Sequence, residues 1–130
     1  MRILFVDDEE KSRKYFSMIF GRSWEVVVAG DGAEGLDVVL GEEGRQIGVI
    51  VTDQIMPNMT GIEMLERVRH LRPDIIKVLS TAYADSDLAA EAAESGVTDY
   101  SVEKPWKIDH VRETLEQAVA AHHRLIGQAK

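Results

Sequence analysis

The stretch Ile47-Gly-Val-Ile-Val-Thr-Asp-Gln-Ile-Met-Pro-Asn-Met-Thr-Gly61 sets the fold. Ile47 to Val51 is mostly β-branched and aliphatic, the pattern of a strand buried on both faces, and it stops at Thr52-Asp53 with Met-Pro-Asn turn chemistry close behind. Pro57 has no N–H to give a sheet and biases Met56 away from helix, so the chain after Asp53 is predicted to form an exposed loop. Asp53 is thereby displayed at a strand tip, where a carboxylate can serve as ligand, base or nucleophile.

The same grammar repeats on both sides of this stretch. Toward the N-terminus, the strand Ile3-Leu4-Phe5-Val6 ends at four acids, Asp7-Asp8-Glu9-Glu10. Tyr15, Phe16, Ile19 and Phe20 recur at helical spacing until Gly21, and Val26 to Ala29 forms a second strand. Asp31 and Glu34 have capping-box spacing, with Ala33, Leu36 and Leu40 as the expected buried stripe before Gly41 and Gly44. Toward the C-terminus, Thr60 and Glu63 make a second box for a helix with Ile62, Leu65, Val68 and Leu71 on its apolar side, stopped at Arg72-Pro73-Asp74. Ile75 to Leu79 is a fourth strand ending at Ser80-Thr81-Ala82, and the alanine-rich segment Asp85 to Ser95 a fourth helix with Leu88 as its one large apolar residue. Such a helix packs weakly. A short strand at Tyr100 to Val102 leads into Glu103-Lys104-Pro105-Trp106 and a long helix carrying Ile108, Val111, Leu115, Ala118, His122 and Leu125. Five strands alternating with five helices predict an α/β fold, an open parallel sheet covered on both faces and joined by right-handed crossovers.

Composition narrows the function. With 130 residues and 45% apolar content the chain fits one compact domain. A net charge of −8 disfavours direct nucleic-acid binding, which depends on neutralising phosphates. There is no cysteine for disulfides or thiolate metal sites, and no signal peptide or membrane-spanning apolar run, so a cytoplasmic location without membrane contact is expected.

In sheets of this type, functional groups gather beyond the carboxyl ends of the strands. Asp7, Asp8, Asp53, Thr81 and Lys104 all fall at such ends. Three converging carboxylates repel unless a cation compensates, and Mg2+, a hard ion that keeps open positions for phosphate oxygens, suits them best. Lys104 adds positive charge, the Thr81 hydroxyl a donor, and Ala82 leaves space. The result is a phosphoryl-shaped pocket in which Asp53 is placed to attack phosphorus and hold an acyl phosphate.

These residues also resemble a known family. Ile3 to Glu9, Thr52 to Gly61, Leu79 to Ala82 and Lys104-Pro105-Trp106 are similar to the receiver domain of bacterial two-component response regulators over almost the whole chain. The resemblance implies a flavodoxin-like (βα)5 fold with strand order 2-1-3-4-5, over residues 1–124, with 125–130 as a helical extension or the start of a linker. It implies that Asp53 accepts phosphate from a phosphohistidine on a sensor histidine kinase or phosphotransfer protein. Asp8, Asp53 and the Ile55 backbone carbonyl would then bind Mg2+ directly, with Asp7 acting through water. Thr81 would swing toward the phosphoryl group and Lys104 would pair with it. Receivers usually carry Tyr or Phe three residues before this lysine as a rotameric switch. Here that residue is Ser101, and Tyr100, one earlier, serves only if a bulge reverses its facing. Ile55 and Tyr83 flank the expected path of attacking water and offer it neither carboxylate nor amide, which predicts slow autodephosphorylation.

Other chemistries fit the same residues less well. A Mg2+-dependent aspartyl-phosphate phosphohydrolase would want an acid at Ile55 and a substrate cap. A flavin carrier on this sheet would place phosphate against the acids after the first strand. Gly30 to Gly35 matches G-x-G-x-x-G, but follows the second strand and is explained by the capping box. His70, His110, His122 and His123 lack metal-ligand spacing and are expected at the surface, and Trp106 as a packing anchor. The heptad-like last helix raises a homodimer through the fourth and fifth helices, or a joined output module.

Overall fold

The computed structural model describes residues 1–128. Its five strands are β1 (Arg2–Val6), β2 (Glu25–Ala29), β3 (Ile47–Asp53), β4 (Ile76–Ala82) and β5 (Tyr100–Lys104), and its helices α1 (Glu10–Phe20), α2 (Gly32–Leu40), α3 (Gly61–Leu71), α4 (Ser86–Glu94) and α5 (Ile108–Gln128). All neighbouring strands pair in parallel, in the order β2-β1-β3-β4-β5. β3 lies at the centre, its residues Ile47 to Thr52 all buried. Strand alternation divides the core in two. Leu4, Val6, Ile50 and Leu79 meet α2, α3 and α4 on one face. Ile3, Phe5, Val49, Val51, Val78 and Val102 meet α1 and α5 on the other.

The helices sit on their neighbours along slightly different stripes from those the sequence suggested. On α1, Phe16 and Phe20 are buried and Tyr15 is exposed. α2 buries Gly32, Gly35, Leu36 and Val39, leaving Ala33 and Leu40 outside. A Cβ on Gly35 would stand 2.9 Å from Met64 Sδ and 3.1 Å from Val6, so the helix approaches along its smallest residues. α3 turns Met64, Leu65 and Val68 inward and Leu71 outward. α4 does the same with alanine: Ala89 and Ala92 are buried, whereas Leu88 is exposed. Small residues set these contacts because they permit closer approach than leucine.

Both predicted helix starts form, one with altered wiring. Thr60 and Glu63 make the reciprocal capping box. Asp31 accepts from the Glu34 amide at 2.8 Å, but the Glu34 carboxylate accepts from the Gly30 amide at 3.0 Å, one residue earlier than the box requires.

His122 was expected at the surface and is buried. Its Nδ1 bonds the Asp74 carbonyl at 2.8 Å, and its ring fills the space left by Gly48, where a Cβ would come within 2.5 Å of the imidazole. The missing side chain on β3 is what lets a polar ring seat at the base of the sheet. Beside it, Arg72 bonds both oxygens of Asp74 at 2.9 Å and reaches the Gly44 and Ile47 carbonyls at 2.6 and 3.3 Å.

The hydrogen bonds from Arg72 hold the Asp74 carboxyl below its ordinary range, against the opposing effect of burial. A carboxyl depressed in the folded state contributes stability above its unfolded pKa, near 4, and loses it as pH falls through the folded value. Asp74→Asn is therefore expected to cost about 1 kcal/mol at pH 7 in urea unfolding, with the gap to the parent closing as the pH falls below the unfolded carboxyl value and through the depressed folded one. An equal gap at pH 7 and below the folded value would refute the assignment.

Candidate functional site

The site is assembled where β1, β3, β4 and β5 end. Asp7 follows β1 and is fully buried. Its amide continues the pairing toward β2 by bonding the Ala29 carbonyl at 3.1 Å, its Oδ1 accepts from the Glu9 amide at 2.9 Å, and its carbonyl accepts from Arg13 at 2.7 Å. Asp8 is exposed, and Asp53 is half-buried at the end of β3. One oxygen from each of the three lies within 4.8 Å of the others.

The loop after Asp53 is fixed by two residues the sequence argument passed over. Gln54 is buried; its carbonyl accepts from the Gly61 amide at 3.0 Å and its side-chain oxygen from the Ile62 amide at 2.9 Å, so it ties β3 to the first turn of α3. Gly61 lies so close to the Asp53 carbonyl that any Cβ would collide with it. Between them Asn58 takes a left-handed conformation, φ 69°, which asparagine tolerates. Asp53 therefore stands on a tightly held base.

Lys104 closes the group from β5. Its Nζ is 3.1 Å from Asp53 Oδ1 and 3.5 Å from Asp7 Oδ2. The Gln54 amide also donates to Asp53 Oδ1, at 3.0 Å. Thr81 is buried with its hydroxyl turned to the Ala82 carbonyl at 3.2 Å, Ala82 is exposed, and Ile55 and Tyr83 are 63% and 78% exposed. β5 pairs with β4 in unbroken register, Val78 with Tyr100 through Ala82 with Lys104. No bulge turns Tyr100 around: it packs toward the α1 and α5 face, and Ser101 is exposed.

Charge is unevenly compensated. Burial raises the Asp53 carboxyl above its ordinary value and the Asp7 charge adds to this, while Lys104 and the Gln54 amide oppose it. On Lys104, burial works against the ammonium, but Asp53 and then Asp7 outweigh it and hold the pKa up. The two directions agree with one lysine shared among several carboxylates: the cation is over-supplied with partners and the carboxylates are under-supplied. Asp7 Oδ2 is buried and receives no hydrogen bond. An all-oxygen set with excess negative charge and an unsatisfied buried oxygen fits a hard divalent cation.

If Lys104 is the compensating charge, its removal strands Asp7. Lys104→Met is expected to lower stability by about 1–3 kcal/mol in the presence of chelator, less than a fully buried pair because the lysine is part-exposed. Asp7→Asn combined with Lys104→Met should recover most of that loss in urea unfolding; a simple sum of the two single effects would contradict the pairing.

The family model for the response regulator receiver domain matches residues 3–116. Among curated relatives, the hydrogenase transcriptional regulatory protein HoxA of Bradyrhizobium diazoefficiens is 34% identical over 118 residues, 90% of this chain and 24% of that protein. The sporulation initiation phosphotransferase F of Bacillus subtilis is 29% identical over 117 residues, 89% of this chain and 91% of that protein. A crystal structure of a receiver domain protein from Clostridium thermocellum superposes with a TM-score of 0.89 at 25% identity, covering 95% of this chain and 98% of that one. The chain spans about a quarter of the length of the HoxA and ZraR regulators that it matches. With the strand order, the carboxylates at the strand ends and this match over most of its length, the chain belongs to the response regulator receiver domains, the phosphoacceptor modules of two-component signalling.

Proposed function

We propose that Asp53 is the phosphoacceptor, and that its donor is a phosphohistidine on a sensor histidine kinase or phosphotransfer protein. The observation that carries this is the placing of the Asp53 carboxylate at a strand tip, 3.1 Å from Lys104 Nζ and clustered with Asp7 and Asp8. An Asp53 oxygen attacks phosphorus, the P–N bond breaks, and its electron pair stays on the imidazole nitrogen, which takes up a proton. Lys104 compensates the charge gathering on the phosphoryl oxygens. Thr81, once turned from the Ala82 carbonyl, donates to one of them, beside the opening at Ala82. Asp8 and Asp53 with the Ile55 carbonyl would hold Mg2+, and Asp7 would reach it through water. Bound there, the ion neutralises phosphoryl oxygens.

The domain acts as a switch rather than a turnover enzyme. Ile55, where an aspartyl-phosphate phosphohydrolase would want an acid, is an exposed apolar side chain. An acidic chain of net charge −8 makes a poor direct ligand for nucleic acid. No helix among the described residues is long and apolar enough to cross a membrane, which accords with action in the cytoplasm. Residues 1–124 are the receiver unit and 125–130 a helical extension or the start of a linker. α5 runs unbroken through that boundary to Gln128, and residues 129–130 lie outside the described residues. A homodimer through the fourth and fifth helices is the partner reading; exposed Leu88 on α4 and exposed Leu125 and Ile126 on α5 are the apolar side chains these helices offer.

Incubation with Mg2+ and acetyl phosphate is expected to add one phosphoryl group by intact mass, absent in Asp53→Asn or with chelator. Turnover of acetyl phosphate without an adduct would instead favour the hydrolase. With neither a carboxylate nor an amide at Ile55 or Tyr83 to orient water, the adduct should decay slowly. Ile55→Asn with Tyr83→Glu is expected to hasten decay by roughly tenfold or more, and a variant as slow as the parent would remove the role given to these positions.

A further inference from the structure

Ser80 and Thr81 are neighbours on β4 whose side chains point to opposite faces of the sheet. Thr81 belongs to the site, whereas Ser80 lies in line with Val78 and pairs with Val102, facing α1 and α5. Ser80 is wholly buried, and its Oγ accepts a 2.9 Å hydrogen bond from Trp106 Nε1. The indole is held edge-on to Phe5 and Phe16, with centroids 5.7 and 5.9 Å away. The third aromatic partner of the indole is Tyr15 of α1, at 6.3 Å and 23°, a residue that is 45% exposed. The two rings border a cleft of about 450 Å3 that Lys104 also lines.

One bond thus joins two chain segments that both lead directly to the site: Ser80 is one residue before Thr81, and Trp106 is two residues after Lys104. We propose that Trp106, through Ser80, positions Lys104 and Thr81 relative to each other and passes the state of Asp53 to the Tyr15 face of α1, taking the place of the aromatic absent at Ser101. This rests on Asp53 being the phosphoacceptor. A phosphoryl group brings close to two negative charges and three acceptor oxygens, which draw on Lys104 and Thr81 together. Those displacements reach the two ends of the Ser80–Trp106 bond within one or two residues. The indole is blocked by Phe5 and Phe16, so the response falls on the bond and on the contact with Tyr15. Linkage makes the coupling reciprocal: weakening the bond disfavours the phosphorylated arrangement. A purely structural bond, satisfying a buried serine, has no reason to respond to Asp53.

The test uses the full chain, 15N-labelled at its two tryptophans, with Mg2+ and excess acetyl phosphate, and with phosphorylation read by intact mass in the same sample. Trp24, which precedes β2 at the other end of the sheet, is the internal reference, and Trp106→Phe identifies the Trp106 indole N–H resonance. On phosphorylation the Trp106 resonance is expected to shift and the Trp24 resonance to stay. Ser80→Ala and Trp106→Phe should each slow labelling of Asp53 by about fivefold, the scale of one neutral hydrogen bond, and the double variant should be no slower than either. An adduct on Asp53 with an unmoved Trp106 resonance, or Ser80→Ala labelling at the parent rate, overturns the relay and leaves the phosphoacceptor intact. Should Ser80→Ala fail to fold, the resonance in the parent chain decides alone. Absence of any adduct in the parent overturns both.

Discussion

Three carboxylates held at the tips of neighbouring strands repel one another, and one ammonium group from the edge of the sheet offsets only part of that repulsion. The rest of the molecule follows from maintaining this arrangement. Asp7 is carried into the interior by a strand with no freedom to withdraw it, Asp53 is braced by Gln54 and Gly61, and Lys104 is delivered by the last strand in an unbroken register. Folding energy comes from the two apolar layers beneath, where buried strands and helix faces supply the hydrophobic term. The upper rim is electrostatically frustrated. Such local conflict within an otherwise consistent structure is what makes a site responsive to an added cation or anion.

Much of this was legible in the chain. The alternation of apolar runs with capped helices gave the element order, and the Asp, Thr and Lys at the strand ends are the residues that the fold brings to one rim. Periodicity failed where small residues replace large ones as the contact surface: Gly35 and Ala89 carry packing that Leu40 and Leu88 were expected to carry. A pattern of hydrophobicity registers affinity for the interior, not distance of approach. His122 escaped for a related reason, because the vacancy that accommodates it belongs to Gly48, distant in sequence.

The polar contacts were less visible than the charged ones. Gln54 looks like an ordinary loop residue, and nothing local says that its amide oxygen meets the Ile62 N–H. Ser80 did leave a trace. A serine buried in line with Ile76 and Val78 on a central strand needs a partner, and an indole N–H just beyond the last strand was an available donor. The signal was present as a requirement without an address.

The seat of His122 also changes what α5 is mechanically. The helix begins beside Trp106 at the rim and is clamped near its far end by the bond to the Asp74 carbonyl. At 1.5 Å per residue, about 21 Å of helix lies on the rim side of the clamp and about 9 Å beyond it. Ahead of that bond Val111, Leu115 and Ala118 are sunk into the apolar layer, so the helix is fixed along its length and His122 is the last of its anchors. Beyond it, positions 123–127 are all exposed, so Leu125 and Ile126 are carried on a free-standing turn whose bearing is set by the seated part of the helix.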